Sequence, residues 1–261
     1  MHGRHLGWIG ALVAVALAAL SPCAYAASPP TFAAASDLQA ALPEIVAAFR
    51  GRTGLTVRVT FGSSGNFAQQ ILSGAPYEGF LSADESYVER LQAAGVTLDG
   101  GALYGVGRIG VFAANGSPVK ADAGLADVAA ALADGRLLKF AIPNPAHAPY
   151  GRAARQALEA SGLWPAVEGK LVFGENASQT TQFAMSGAVQ AAIIPYSLAL
   201  TRPVRTAGTF VLLPASLHAP LRQRAVLLKN ASATSKAFFA FLQGPQARTI
   251  LARYGFSTAA R

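Results

Sequence analysis

The sequence carries a single cysteine, Cys23, and it lies near the start of the chain. One thiol cannot build a disulfide framework. Beyond residue 26 only His147 and His218 remain, unpaired in sequence, so a zinc site built on Cys and His has no ligands to draw on. Charge is sparse as well, at 13% of the 261 residues. The net charge of +8 comes from scattered Lys and Arg side chains, with no basic run and no interleaved aromatics. That pattern excludes an obvious nucleic-acid face and is better read as a solvated basic surface that can also steer anions.

What is present begins with a leader. Arg4 and His5 precede an apolar run, Leu6 to Leu20, which is too short for a comfortable membrane span, and Ala24-Tyr25-Ala26 follows as a small-x-small cleavage site. Residues 1–26 are expected to be a cleavable signal peptide, which places the mature chain in the periplasm. Leu20-Ser21-Pro22-Cys23 has the outline of a lipobox, but Pro22 stands where that motif wants Gly or Ala, so a lipid anchor on Cys23 is not expected. Cleavage after Ala26 removes Arg4, lowers the net charge to +7 and leaves no thiol. The remaining chain, about 235 residues, is enough for one large domain or two lobes held by apolar cores alone.

Hydrophobic periodicity alternates between 2 and 3.6 along the chain. Thr31–Ala35, Leu55–Phe61 and Gly79–Ser82 are predicted strands; Asp37–Arg50, Asn66–Ser73 and Asp84–Ala94 are predicted helices. Pro43 falls inside the first helix, where it should kink it or mark the start of its regular part, and Gly51 should end it. This β-α order implies a mostly parallel sheet covered on both faces. A second set of strands and helices follows from residue 125, joined to the first by long extended runs near 103–113 and 222–229. Two α/β lobes linked by two crossover strands are expected: residues 27–108 plus 228–261 in one, 109–227 in the other.

Four strand-to-helix junctions share a chemistry. They are Ala33-Ala-Ala-Ser36-Asp37, Phe61-Gly-Ser63-Ser-Gly65, Pro145 through Tyr150-Gly151, and Gly174-Glu-Asn-Ala177-Ser178, none with Lys or Arg. Helix N-termini present free N–H groups and a partial positive charge, so they favour anions. In open α/β sheets ligands sit beyond the C-terminal strand ends, where all four junctions lie. A simpler reading makes Ser36, Ser63 and Asn176 ordinary N-caps. Donors without a cation suit a fully deprotonated dianion, which accepts from every one of them; a protonated phosphate would need an acceptor.

Other patterns carry less. Gly105-Val-Gly-Arg-Ile-Gly110 fits G-x-G-x-x-G but runs into strand-like Val111-Phe-Ala113 instead of opening a helix, so it is no nucleotide fingerprint. Gly62-Ser63-Ser64-Gly65 is one residue short of a nucleophile elbow, which leaves an exported serine hydrolase as a rival reading. The Asn115, Asn176 and Asn230 sequons are better explained as caps and turns.

Together, Phe32-Ala-Ala-Ala-Ser36, Phe61-Gly-Ser-Ser-Gly65, Gly74-Ala-Pro76, Ser82-Ala-Asp84, Asn144-Pro145, Pro149-Tyr-Gly151, Gly174-Glu-Asn176, Gly244-Pro-Gln-Ala247 and Arg253-Tyr-Gly-Phe256 resemble the periplasmic molybdate-binding proteins of ABC transporters over residues 31–256. The resemblance implies a type II periplasmic-binding-protein fold closing over molybdate or tungstate, no catalysis, no cofactor, a monomer, and an inner-membrane ABC permease as partner. It implies ligand contacts at Ser36, Ser63, Tyr150 and the backbone N–H of Ala177. Asp37 is charged where many relatives are neutral; its carboxylate is expected to point away, with its N–H facing the ligand. Tyr196, beside Pro195, is a candidate fifth contact. A receptor of the same fold for a sulfate-like oxyanion or a small anionic solute remains the alternative.

Overall fold

The structure, a computed structural model, describes residues 28–257; the leader, its cleavage site and Cys23 lie outside the described residues. Strand β1 (Thr31–Ala35) reads Thr-Phe-Ala-Ala-Ala and is buried from Phe32 onward, because it is an interior strand of a sheet with helices on both faces. A single 3-10 turn, Ser36–Leu38, follows it, then α1 (Ala41–Thr53), β2 (Arg58–Gly62), α2 (Ser64–Leu72), β3 (Gly79–Ser82), α3 (Glu85–Ala93) and β4 (Ala102–Gly107). The chain then crosses to a second sheet. It contributes β5 (Ile109–Ala114), α4 (Ala126–Ala133), β6 (Phe140–Pro143), α5 (Pro149–Ala160), α6 (Trp164–Val167), β7 (Leu171–Gly174), α7 (Ala177–Met185), β8 (Ala191–Pro195), α8 (Tyr196–Ala199), α9 (Arg202–Ala207) and β9 (Gly208–Leu212). It returns through β10 (Leu221–Leu227) and ends in α10 (Ala233–Leu242) and α11 (Pro245–Arg253).

The sheet orders are β2-β1-β3-β10-β4 and β7-β6-β8-β5-β9. These are the same topology used twice. In each, three parallel strands are followed by one antiparallel strand that has just crossed from the other lobe: β10 in the first, β5 in the second. The two-lobed α/β fold expected from the sequence is the fold observed.

The long run 103–113 divides at Arg108 between the two sheets. Two particulars differ from the sequence reading. The return crossing lies before Leu221, since Leu221–Leu227 pairs with β3 and β4 of the first sheet; the second lobe therefore ends ahead of residue 221 and not at 227. The first helix is broken after Leu38, so Pro43 sits in the first turn of α1, where its missing N–H costs no hydrogen bond, and Gly54 rather than Gly51 ends the helix in the left-handed conformation.

Each lobe has its own core. In the first, Phe238 of α10 packs edge-on against Phe32 (ring centroids 5.0 Å apart) and Phe49 (5.2 Å), which ties the C-terminal helices to β1 and α1. Burying each such ring contributes about 1.5–3 kcal/mol. In the second, Val111, Phe140 and Ile142 of the sheet meet Leu125, Val128 and Leu158 of the helices. Among the described residues, no helix is long and apolar enough to cross a membrane.

Register positions the site. Ala35 is level with Gly62, and Pro143 with Gly174. The residues that leave β1 and β2 therefore start side by side at one sheet edge, as do those that leave β6 and β7.

Candidate functional site

The four junctions meet. Ala35, Ser36, Asp37, Gly62, Ser63, Ser64 and Ala83 from the first lobe, with Ala148, Pro149, Tyr150 and Ala177 from the second, line one small cavity between the lobes. Its free volume is about 10 Å³, far below the 300–1,000 Å³ usual for organic ligands. No Lys or Arg lines it.

Three of the four helical starts that open onto this cavity are not closed by side chains of their own. Ala35 and Ala148 precede the Ser36 turn and α5, and neither can cap; Ser63 stands at the N-cap of α2 but makes no capping bond. Elsewhere caps are made: Asp84 on α3 and Ser232 on α10. Ser36 and Ser63 are therefore not ordinary N-caps, while Asn176 is one, accepting from the N–H groups of Ser178 and Gln179 on α7. Tyr150 and Ala177 stand in first helical turns, where N–H groups have no intrahelical acceptor.

Hydrogen bonds join the lobes around the cavity. Ser178 N–H donates to Ser36 Oγ (3.2 Å), Gly65 N–H to the His147 carbonyl (2.9 Å), Ser197 Oγ–H to the Asp37 carbonyl (2.8 Å), and Asn66 Nδ2 to Glu175 (2.5 Å). Further out, Arg152 of α5 pairs with Asp84, donates to the Tyr87 hydroxyl (2.7 Å), and lies over the Tyr87 ring at 5.1 Å. The structure is a closed form.

Asp37 is not turned away. It is fully buried, and its Oδ2 accepts from the Tyr150 hydroxyl (2.9 Å) and from Gln223 Nε2 (2.7 Å). Gln223 also reaches the Tyr150 hydroxyl (2.9 Å), and its Oε1 accepts from Tyr104 (2.7 Å). Asp37 Oδ1 has no partner. Burial pushes this carboxyl up to about 6 from its ordinary 3.8, against the opposing pull of Gln223, Tyr150 and the nearby N–H groups of Asp37 and Leu38. Burial and the Asp37 charge hold Tyr104 and Tyr150 well above the usual phenol range, so both remain donors.

Tyr196 does not join the cavity. Its ring stacks on Phe210 at 5.7 Å, and its neighbour Ser197 bonds the Asp37 carbonyl beside the cavity. Gln223 and Tyr104 also escaped the sequence reading. The available signal was a glutamine on the inward face of Leu221, Gln223 and Ala225, in an otherwise apolar strand register.

Ser63 has a partner that the sequence did not reveal: its Oγ lies 2.9 Å from His147 Nδ1. The other ring nitrogen faces Glu175 at 3.7 Å, beyond hydrogen-bond reach, and Glu175 is mostly exposed. A hydrolytic relay needs a buried, bonded acid to orient the imidazole. This trio lacks one, so it is not such a relay. Among the described residues no group of His, Cys, Asp and Glu could hold a metal ion.

Residues 30–257 match the family of bacterial extracellular solute-binding proteins. The chain is 36% identical to the molybdate-binding protein ModA of Rhodobacter capsulatus over 229 residues, 87% of each chain. It is 33% identical to ModA of Azotobacter vinelandii over 248 residues, covering 94% of this chain and 96% of that one. The solved periplasmic molybdate-binding protein of Azotobacter vinelandii superposes with a TM-score of 0.79 at 26% identity, covering 88% of this chain and all of that one.

Proposed function

Because the chain belongs to the bacterial extracellular solute-binding protein family, we propose that it captures molybdate or tungstate outside the cytoplasm and delivers it to an ABC permease in the inner membrane. The observation that carries this reading is the set of uncapped helix starts from both lobes around one closed cavity without Lys or Arg. A dianion buried there is held by N–H and O–H donors aimed from both sides, which offsets its loss of water. The ligand-contact residues are Ser36, Ser63, Tyr150 and Ala177. Ser36 and Ser63 offer hydroxyls, and Tyr150 and Ala177 offer first-turn N–H groups. The Tyr150 hydroxyl is already engaged with Asp37, so its side chain acts as a wall and a brace.

The protein works as a monomer without a cofactor, and residues 1–26 are the leader removed on export. Molybdate and sulfate share charge and shape, so the choice between them falls to cavity size and lobe closure. Calorimetric titration with molybdate, tungstate and sulfate tests the assignment. Saturable binding of the first two, with sulfate weaker, is the expected result; sulfate binding alone would replace this reading with that of a sulfate receptor.

A further inference from the structure

A dianion receptor has no evident use for a carboxylate in its binding cavity, yet Asp37 is there. It is fully buried; Oδ2 is taken by Tyr150 and Gln223, and Oδ1 is the oxygen left without a partner. No cation offsets it. The elements packed against it are α5, β4, β10, α7, α8 and β2. From α5 and β4 come the phenols Tyr150 and Tyr104, and from β10 the neutral Gln223. Arg222 and Arg224 of β10 are paired instead with Glu85. α8 brings Ser197, α7 has no charged residue, and Arg58 of β2 is exposed at the far end of its strand. A carboxylate and a dianion cannot share so small a desolvated space without strong repulsion.

Resting on the molybdate reading above, we propose that ligand capture is proton-coupled: one proton enters from solvent with each dianion and is held between Asp37 Oδ1 and a ligand oxygen. The repulsion then becomes a hydrogen bond, and Asp37 becomes a specificity residue that admits oxyanions able to share a proton. It also supplies the acceptor that a singly protonated oxyanion requires. In the closed form burial lifts this carboxyl to about 6, still below neutral pH, so at neutral pH the proton must be taken up on binding. Above that point affinity falls about tenfold per pH unit, which makes binding at pH 8 on the order of 100-fold weaker than the low-pH limit.

The variant that reads this is Asp37→Asn. It keeps the oxygen that Tyr150 and Gln223 bond and places a permanent donor at the position of Oδ1. The His147 ring is bonded to Ser63, which lines the cavity, so His147→Asn serves as the control. Molybdate is titrated calorimetrically into wild type and both variants from about pH 6 to about pH 8, in buffers of different ionisation enthalpy, which count the protons taken up. Expected are nearly one proton per ion in wild type and in His147→Asn at pH 8, and none in Asp37→Asn, which then binds at pH 8 up to about 100-fold tighter than wild type. A pH-independent wild-type affinity, or a dependence that persists in Asp37→Asn and vanishes in His147→Asn, overturns the coupling and leaves the ligand assignment standing. Absence of molybdate and tungstate binding at every pH, in wild type and Asp37→Asn proteins that still melt cooperatively, overturns the ligand assignment and the coupling with it.

Discussion

Ser36 Oγ, on the first lobe, accepts a 3.2 Å hydrogen bond from the N–H of Ser178, in the first turn of α7 on the second lobe. One hydroxyl thus sits at the start of the opposite lobe's helix instead of capping its own turn.

Removing such a hydroxyl should therefore reduce binding much more than folding. Ser36→Ala and Ser63→Ala are each expected to weaken molybdate affinity roughly 10- to 150-fold, the 1.5–3 kcal/mol of a hydrogen bond to a charged group, measured by calorimetry. The ligand-free melting temperatures should stay close to wild type, because neither side chain caps a helix.

Asn176→Ala should behave in the opposite way. Its side chain caps α7 through two N–H groups, so about 1 kcal/mol of stability is lost, visible in thermal or denaturant unfolding, with a smaller effect on affinity.

The convergence of the junctions is legible because strand-to-helix junctions are local. Ser36, Ser63, Tyr150 and Ala177 are each marked by a few residues, and register brings them to one cavity by levelling Ala35 with Gly62 and Pro143 with Gly174. What could not be read depends on distant partners. The orientation of Asp37 is decided by Gln223, 186 residues away, and by Tyr150, 113 away. The Ser63–His147 bond spans 84 residues. The return crossing was misplaced because β10 looks like any apolar strand until its pairing with β3 and β4 is known. Tyr196 and Ser197 are adjacent in α8, and only long-range packing sets their roles: the Tyr196 ring stacks on Phe210 while Ser197 bonds the Asp37 carbonyl.

Gly107 is held to glycine by the same cluster. A Cβ there would overlap the Tyr150 hydroxyl and come within 2.7 Å of Gln223 Nε2. Gly107→Ala should displace Tyr150 from Asp37, destabilise the closed protein by about 1–3 kcal/mol and weaken ligand binding, as read by melting with and without molybdate.

The Asp37 carboxyl also predicts how stability follows pH. Its folded value, about 6, is raised above the ordinary 3.8, so between these limits the native state holds more protons than the unfolded chain. Its contribution to stability is therefore present at low pH and is lost as pH rises toward 6, the reverse of Glu85, which Arg222 and Arg224 hold below the usual carboxylate range. The loss is on the order of 3 kcal/mol. Asp37→Asn should melt near wild type at about pH 4 and well above it at about pH 7; equal melting at both would remove the penalty assigned to this group.

Arg152 reports on closure. It bridges α5 to Asp84 and Tyr87 of the first lobe without lining the cavity. Arg152→Ala should weaken affinity about fivefold, corresponding to about 1 kcal/mol for a partly exposed pair, mainly through faster ligand release in stopped-flow experiments.

The exchange of β5 and β10 between halves has a consequence for the order of assembly. β4 is held in its sheet by β10 alone, and β3 keeps a bare edge until Leu221–Leu227 arrives. An N-terminal fragment ending before residue 221 cannot finish its first sheet however long it waits. The first lobe is therefore completed by a segment that follows the whole of the second, so its sheet closes only once residues 221–227 are available.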